Sequence, residues 1–163
     1  MTRGDQRPPA VDTGEKATLV AFLDYVREAV IAKTAGVSDE VARRPAVGSG
    51  TSLLWLLRHL ARAEHRWFVW YYAGSEVWRG PEADAVEDAD TLEGLVAAYR
   101  AKTAETNAIV EAADLDAVGS RVLEEGVRPP TMRWVLIHMI EETARHAGHA
   151  DIIREQADGT VGR

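Results

Sequence analysis

Apolar residues return every three or four positions along four long stretches of the chain, the period of an amphipathic α-helix with one buried face. Over residues 15–35 the stripe is Leu19, Phe22, Leu23, Val26 and Val30, and Gly36 supplies a stop. A second stretch opens at Thr51 or Ser52, whose hydroxyls can accept from first-turn amides, and closes at Gly74. Its face is Leu53, Leu56, Leu57, Leu60, Trp67 and Tyr71. A third begins after Asp90 or Thr91 and carries Leu92, Leu95, Val96, Tyr99, Thr103, Ile109 and Val110 as far as about residue 113. The last is capped by Thr131 and runs to about residue 156, ahead of Asp158-Gly159.

The stretches between them read as connections. Ser38 can cap a short helical turn before Pro45, Gly48 and Gly50. Residues 75–89 are rich in carboxylates around Gly80-Pro81 and predict an exposed loop, and LDAVGSRVLEEGVRPP predicts irregular or weakly extended chain. Residues 1–15 are polar, with Pro8-Pro9, and predict a disordered leader ahead of one domain over 16–163. No series of alternating apolar and polar residues argues for a sheet, so the expected fold is all-α, a single four-helix bundle.

Composition narrows the function. With 19 Lys plus Arg against 26 Asp plus Glu, the net charge of −7 argues against a nucleic-acid or anionic-membrane surface. No apolar run is long enough to span a bilayer and no signal peptide opens the chain, which predicts a cytoplasmic protein acting on a small molecule. The chain has no cysteine, so any thiol chemistry must use a borrowed thiol.

The chemistry concentrates in HMIEETARHAGHADI, residues 138–152, which holds three of the five histidines. On a helical wheel His146 lies about 30° from the centre of the apolar face and Glu142 about 70°, whereas His149 and His138 lie about 90° and 110° away. Glu142 and His146 are four apart and stack on one side, while Glu141 projects away from the core. In the second helix His59 falls about 100° from the centre of the leucine face and can meet a neighbouring helix, whereas His65 is expected to face solvent. Two imidazoles and a carboxylate form a ligand set for Zn²⁺, or for Ni²⁺ or Fe²⁺, with a position left open for water or a thiol. The plainer reading of the same spacing is a surface ion pair beside a hydrogen-bonded histidine. His149 or His138 in place of Glu142 is a variant of the site.

SLLWLLRHLARAEHRWF, together with RWVLIHMIEETARHAGHADIIREQADG, resembles the DinB-like superfamily of metal-binding helical bundles. That superfamily includes mycothiol-dependent maleylpyruvate isomerases and thiol-dependent S-transferases. The resemblance covers nearly all of the chain after the leader. It implies a divalent metal held by His59, Glu142 and His146, and a low-molecular-weight thiol, mycothiol or bacillithiol, turned upon an electrophile. The isomerases carry a further C-terminal domain, and this chain stops at Arg163, so isomerisation of maleylpyruvate is not expected.

Two other groups of residues are read on both sides. The aromatics between Trp67 and Trp78 extend the core into the adjoining loop, or they wall a substrate cleft or a homodimer interface; Phe68 and Tyr72 lean off the core face. Arg58, Arg62 and Arg66 follow a helical rhythm, and only Arg66 approaches the His59 side, where it could bind a substrate carboxylate. Arg145 is expected to point outward and pair with Glu141. The functions that compete are a metal-dependent thiol transferase, a noncatalytic metal-binding or stress-associated bundle, and a structural dimer without metal.

Overall fold

A computed structural model of the chain describes residues 6–11, 13–78 and 83–162. The elements are α1 (Glu15–Ala32), the short α2 (Asp39–Arg43), α3 (Leu53–Glu64), α4 (Leu92–Ala112) and α5 (Met132–Asp158). Directly after α3 the helix continues as a π-helix over His65–Tyr72. Among the described residues there is no strand, only an isolated antiparallel bridge between Val118 and Thr131. The fold is the all-α bundle that the periodicity predicts.

Side-chain caps start the helices where the sequence suggests. Ser52 accepts from the Trp55 amide at 3.2 Å, Thr91 from Gly94 at 3.1 Å and Thr131 from Trp134 at 3.3 Å, each satisfying a first-turn donor that has no intrahelical partner. Gly159 ends α5 in the left-handed conformation, φ 74°. α1 packs on α5, and α3 packs on both α4 and α5. Leu53, Leu54, Leu56, Leu57 and Leu60 are fully buried against Val30, Tyr99, Ala150 and Ile153. A second cluster joins Leu23, Val26, Phe68, Val110, Leu136 and Met139. At about 1.5–3 kcal/mol for each large apolar side chain, this burial is the main favourable term.

The π-helix ends against the connection between α4 and α5. The carbonyl of Tyr72 accepts from the Ser120 amide at 2.9 Å and that of Tyr71 from Arg121 at 3.0 Å. The Arg121 side chain donates to the Trp70 carbonyl and lies over the Trp70 ring, 3.9 Å from its centroid. Carbonyls that a helix end leaves without intrahelical donors are thereby satisfied.

Three expectations need correction. Phe22 is 36% exposed while Arg27 is buried, because Arg27 finds Glu64 of α3 inside the bundle at 2.7 Å and a polar pairing outweighs hydropathy there. His65 does not face solvent: the Trp78 ring lies edge-on to it at 4.7 Å and Lys102 of α4 approaches its Nδ1 to 3.1 Å, covers that a wheel of one isolated helix lacks. Phe68 is fully buried rather than leaning off the core, since i→i+5 bonding advances each residue by less than 100° and turns its side chain inward. Of the sequences read as leader and exposed loop, residues 1–5, 12 and 79–82 lie outside the described residues.

Candidate metal centre

The last two turns before the π-helix bring His59 to the seam between α3 and α5, where Glu142 and His146 stand one turn apart. The leucine face on either side of His59 fixes the rotation of α3, and Met139, Ala147 and Ala150 fix that of α5. His59 Nε2 lies 2.9 Å from Glu142 Oε1, and His146 Nε2 lies 3.2 Å from the same oxygen. One ligand-type atom from each residue falls within 4.8 Å of the others.

His59 is held on its other side too. Its Nδ1 is 3.1 Å from Asp84 Oδ2, in the connection between the π-helix and α4, and its ring stacks on Trp55 at 4.8 Å with the planes 8° apart. Both ring nitrogens therefore face carboxylate oxygens. A neutral imidazole carries one N–H, which can be directed at Asp84 or at Glu142 and leaves a lone pair on the other nitrogen. With the N–H directed at Asp84, the lone pairs of His59, His146 and Glu142 converge on one point. This donor set fits a divalent cation, and the carboxylate behind the histidine is the partner that commonly orients such a ligand.

The electrostatics favour the ligand forms. Burial would raise the Glu142 carboxyl, but contact with His59 and then the proximity of His146 and Arg145 hold it below its ordinary value. Burial first, and then the neighbouring His59, push His146 down to about 4. Its lone pair is free of a proton at neutral pH.

The remaining candidates lie around the triad. His149 Nδ1 stands 3.2 Å from His146 Nδ1, behind the converging atoms rather than among them. His138 is drawn into an aromatic group, stacked on Trp134 at 5.1 Å and edge-on to Trp67 at 4.3 Å, and does not join the triad. Arg145 reaches Glu141 at 3.4 Å as expected, and also closes on Glu142. A cleft of about 230 Å³ opens beside the triad, lined by Arg62, Arg66, Asp84, Trp67 and His138 as well as by His59 and Glu142. Asp84 and Arg62 were not legible as site residues. Asp84 lies in a segment without periodicity, and the wheel turns Arg62 away from a site that the connection folds over to meet.

The fold is an all-α bundle of the DinB-like kind, and a cluster of two histidines and one carboxylate lies between two of its facing helices. The chain belongs to the mycothiol-S-transferase family, a DinB-like family whose profile matches residues 18–159. Its structure is similar to that of a conserved protein from Enterococcus faecalis, with a TM-score of 0.62 over 93% of this chain and 100% of the other. At 18% identity that likeness shows the fold alone. No curated protein matches the sequence.

Proposed function

We propose that the protein is a metal-dependent thiol S-transferase that joins a low-molecular-weight thiol, mycothiol first among the candidates, to an electrophilic small molecule. The observation that carries this reading is the convergence of His59 Nε2 and His146 Nε2 on Glu142 Oε1, within a chain of the mycothiol-S-transferase family. His59, Glu142 and His146 would hold a divalent ion, with Zn²⁺ suited to two imidazoles and one carboxylate. Such an ion lowers the pKa of a thiol and keeps it as the nucleophilic thiolate.

The chain's own residues supply the rest. Asp84 orients the His59 ring, the Trp55 face holds it flat, and His149 backs the His146 ring. Three protein ligands leave room for the sulfur, and the cleft beside them receives the electrophile. Because the chain has no cysteine, no thiol of its own competes for the ion.

The test is metal content together with thiol turnover. Purified protein is expected to hold one divalent ion per chain and to consume mycothiol in the presence of an electrophile such as a haloalkyl bimane. His59→Ala, Glu142→Ala and His146→Ala should each lose the ion and the turnover. Unchanged metal content in all three rejects the site, and bound metal without consumption of any thiol rejects the transferase in favour of a metal-binding bundle without turnover.

A further inference from the structure

The two arginines in the cleft stand apart from the others in the helices. Among the described residues, every other helical arginine has a carboxylate or carbonyl oxygen at 2.9 Å or less, as Arg58 has Asp90 at 2.8 Å. Arg62 reaches Asp84 only at 3.4 and 3.5 Å, the limit of a hydrogen bond, while Asp84 makes its shorter contact to His59. Its Nε, like that of Arg58, is buried without a hydrogen-bond partner among the described residues, and the side chain as a whole is 33% exposed. Arg66, one turn on, makes no hydrogen bond among the described residues and lies over the Tyr71 ring at 5.6 Å. In a chain with more carboxylates than cations, two arginines short of close acidic partners among the described residues line one cleft.

A guanidinium offers five N–H donors in a planar fork that matches a carboxylate, and a buried donor left without a partner is unfavourable. Arg62 and Arg66 therefore present unused donors where a ligand enters. The formal charges agree. Among the lining residues the carboxylates are Glu142 and Asp84 and the cations Arg62 and Arg66, so a divalent ion on the triad would leave the cleft net positive. Trp67 and His138, which also line the cleft, offer ring surface to a flat apolar body.

We infer that Arg62 and Arg66 form a carboxylate subsite, and that the electrophile taken by this protein is a small organic acid with a flat, apolar body. The inference rests on the proposed transferase for the word electrophile, but the subsite itself needs no turnover. Trp67 in the cleft makes its fluorescence the direct readout. Titration of benzoate and of benzamide, without thiol and in both metal-free and zinc-loaded protein, is expected to quench tryptophan emission with the carboxylate at least tenfold tighter in both forms. Arg62→Gln/Arg66→Gln should remove that preference, Arg62→Lys should keep the charge but lose most of it, and Arg100→Gln, at a residue that pairs with Glu28 and does not line the cleft, should leave it unchanged. Circular dichroism checks that each variant is folded.

Equal affinity for acid and amide, or a preference that survives the double substitution, overturns the subsite. A preference found only with zinc assigns the carboxylate to the ion and overturns it as well. In turnover, an electrophile bearing a carboxylate should have a lower KM than its methyl ester in the native chain and the same KM in the double variant. If instead the double substitution changes KM for thiols with a carboxylate and not for electrophiles, the anion belongs to the thiol and the assignment to the electrophile is wrong. Binding that behaves as stated while no thiol is ever consumed leaves the subsite standing and removes the transferase.

Discussion

His59 of α3 and Asp84 of the connection to α4 meet at 3.1 Å, on the side of the imidazole opposite Glu142. A carboxylate there fixes which nitrogen carries the proton and raises the basicity of the other. Asp84→Asn keeps the shape and an accepting oxygen but removes the charge. It should weaken zinc binding by about 10- to 100-fold, measured by competition with a chromophoric chelator. An unchanged affinity would show that Asp84 does not orient the histidine.

Arg27 and Glu64 form a fully buried pair, joined at 2.7 and 2.8 Å and flanked by Thr106 and Asn107 of α4. Breaking one side leaves a bare charge in the interior, so Arg27→Met should cost about 3–5 kcal/mol in urea denaturation. The double variant Arg27→Met/Glu64→Leu should recover much of that loss. A double variant as unstable as the sum of the single ones would contradict the pairing.

Burial, and then Lys102, hold His65 below the ordinary histidine value. The unfolded chain binds the proton more readily, so the contribution of His65 is complete above about pH 6.5 and is lost as pH falls from there through the folded value. His65→Gln should flatten the pH dependence of unfolding free energy below pH 6.5. Identical slopes for the two proteins would exclude His65 as a source of acid sensitivity.

Zinc that binds the folded chain and not the unfolded one should raise the melting temperature, by an amount equivalent to about 2.7 kcal/mol at a hundredfold excess over Kd. A chelator should reverse the shift, and Glu142→Ala should abolish it. A shift of equal size in that variant would place the ion elsewhere.

The helices and the juxtaposition of Glu142 with His146 were legible because both follow from local periodicity. Glu142 and His146 are four residues apart on one helix, so their relation is settled once α5 forms. His59 was legible for the same reason, through its angle to the leucine face. Arg27 and Glu64 were not: a charge is read as exposed until its partner on another helix is known. Nor was Phe68, whose direction depends on a change from i→i+4 to i→i+5 bonding that apolar spacing does not announce.

The sequence by itself therefore determined four amphipathic helices, their caps and the chemical character of one seam, since these depend on residues within a few turns of each other. Tertiary structure decided what surrounds that seam. It brought Asp84 onto His59 across 25 positions, paired Arg27 with Glu64, covered His65 with Trp78 and Lys102, and left Arg62 and Arg66 without close acidic partners beside the triad. Such contacts depend on how helices and connections meet in space, and a one-dimensional period holds no record of that.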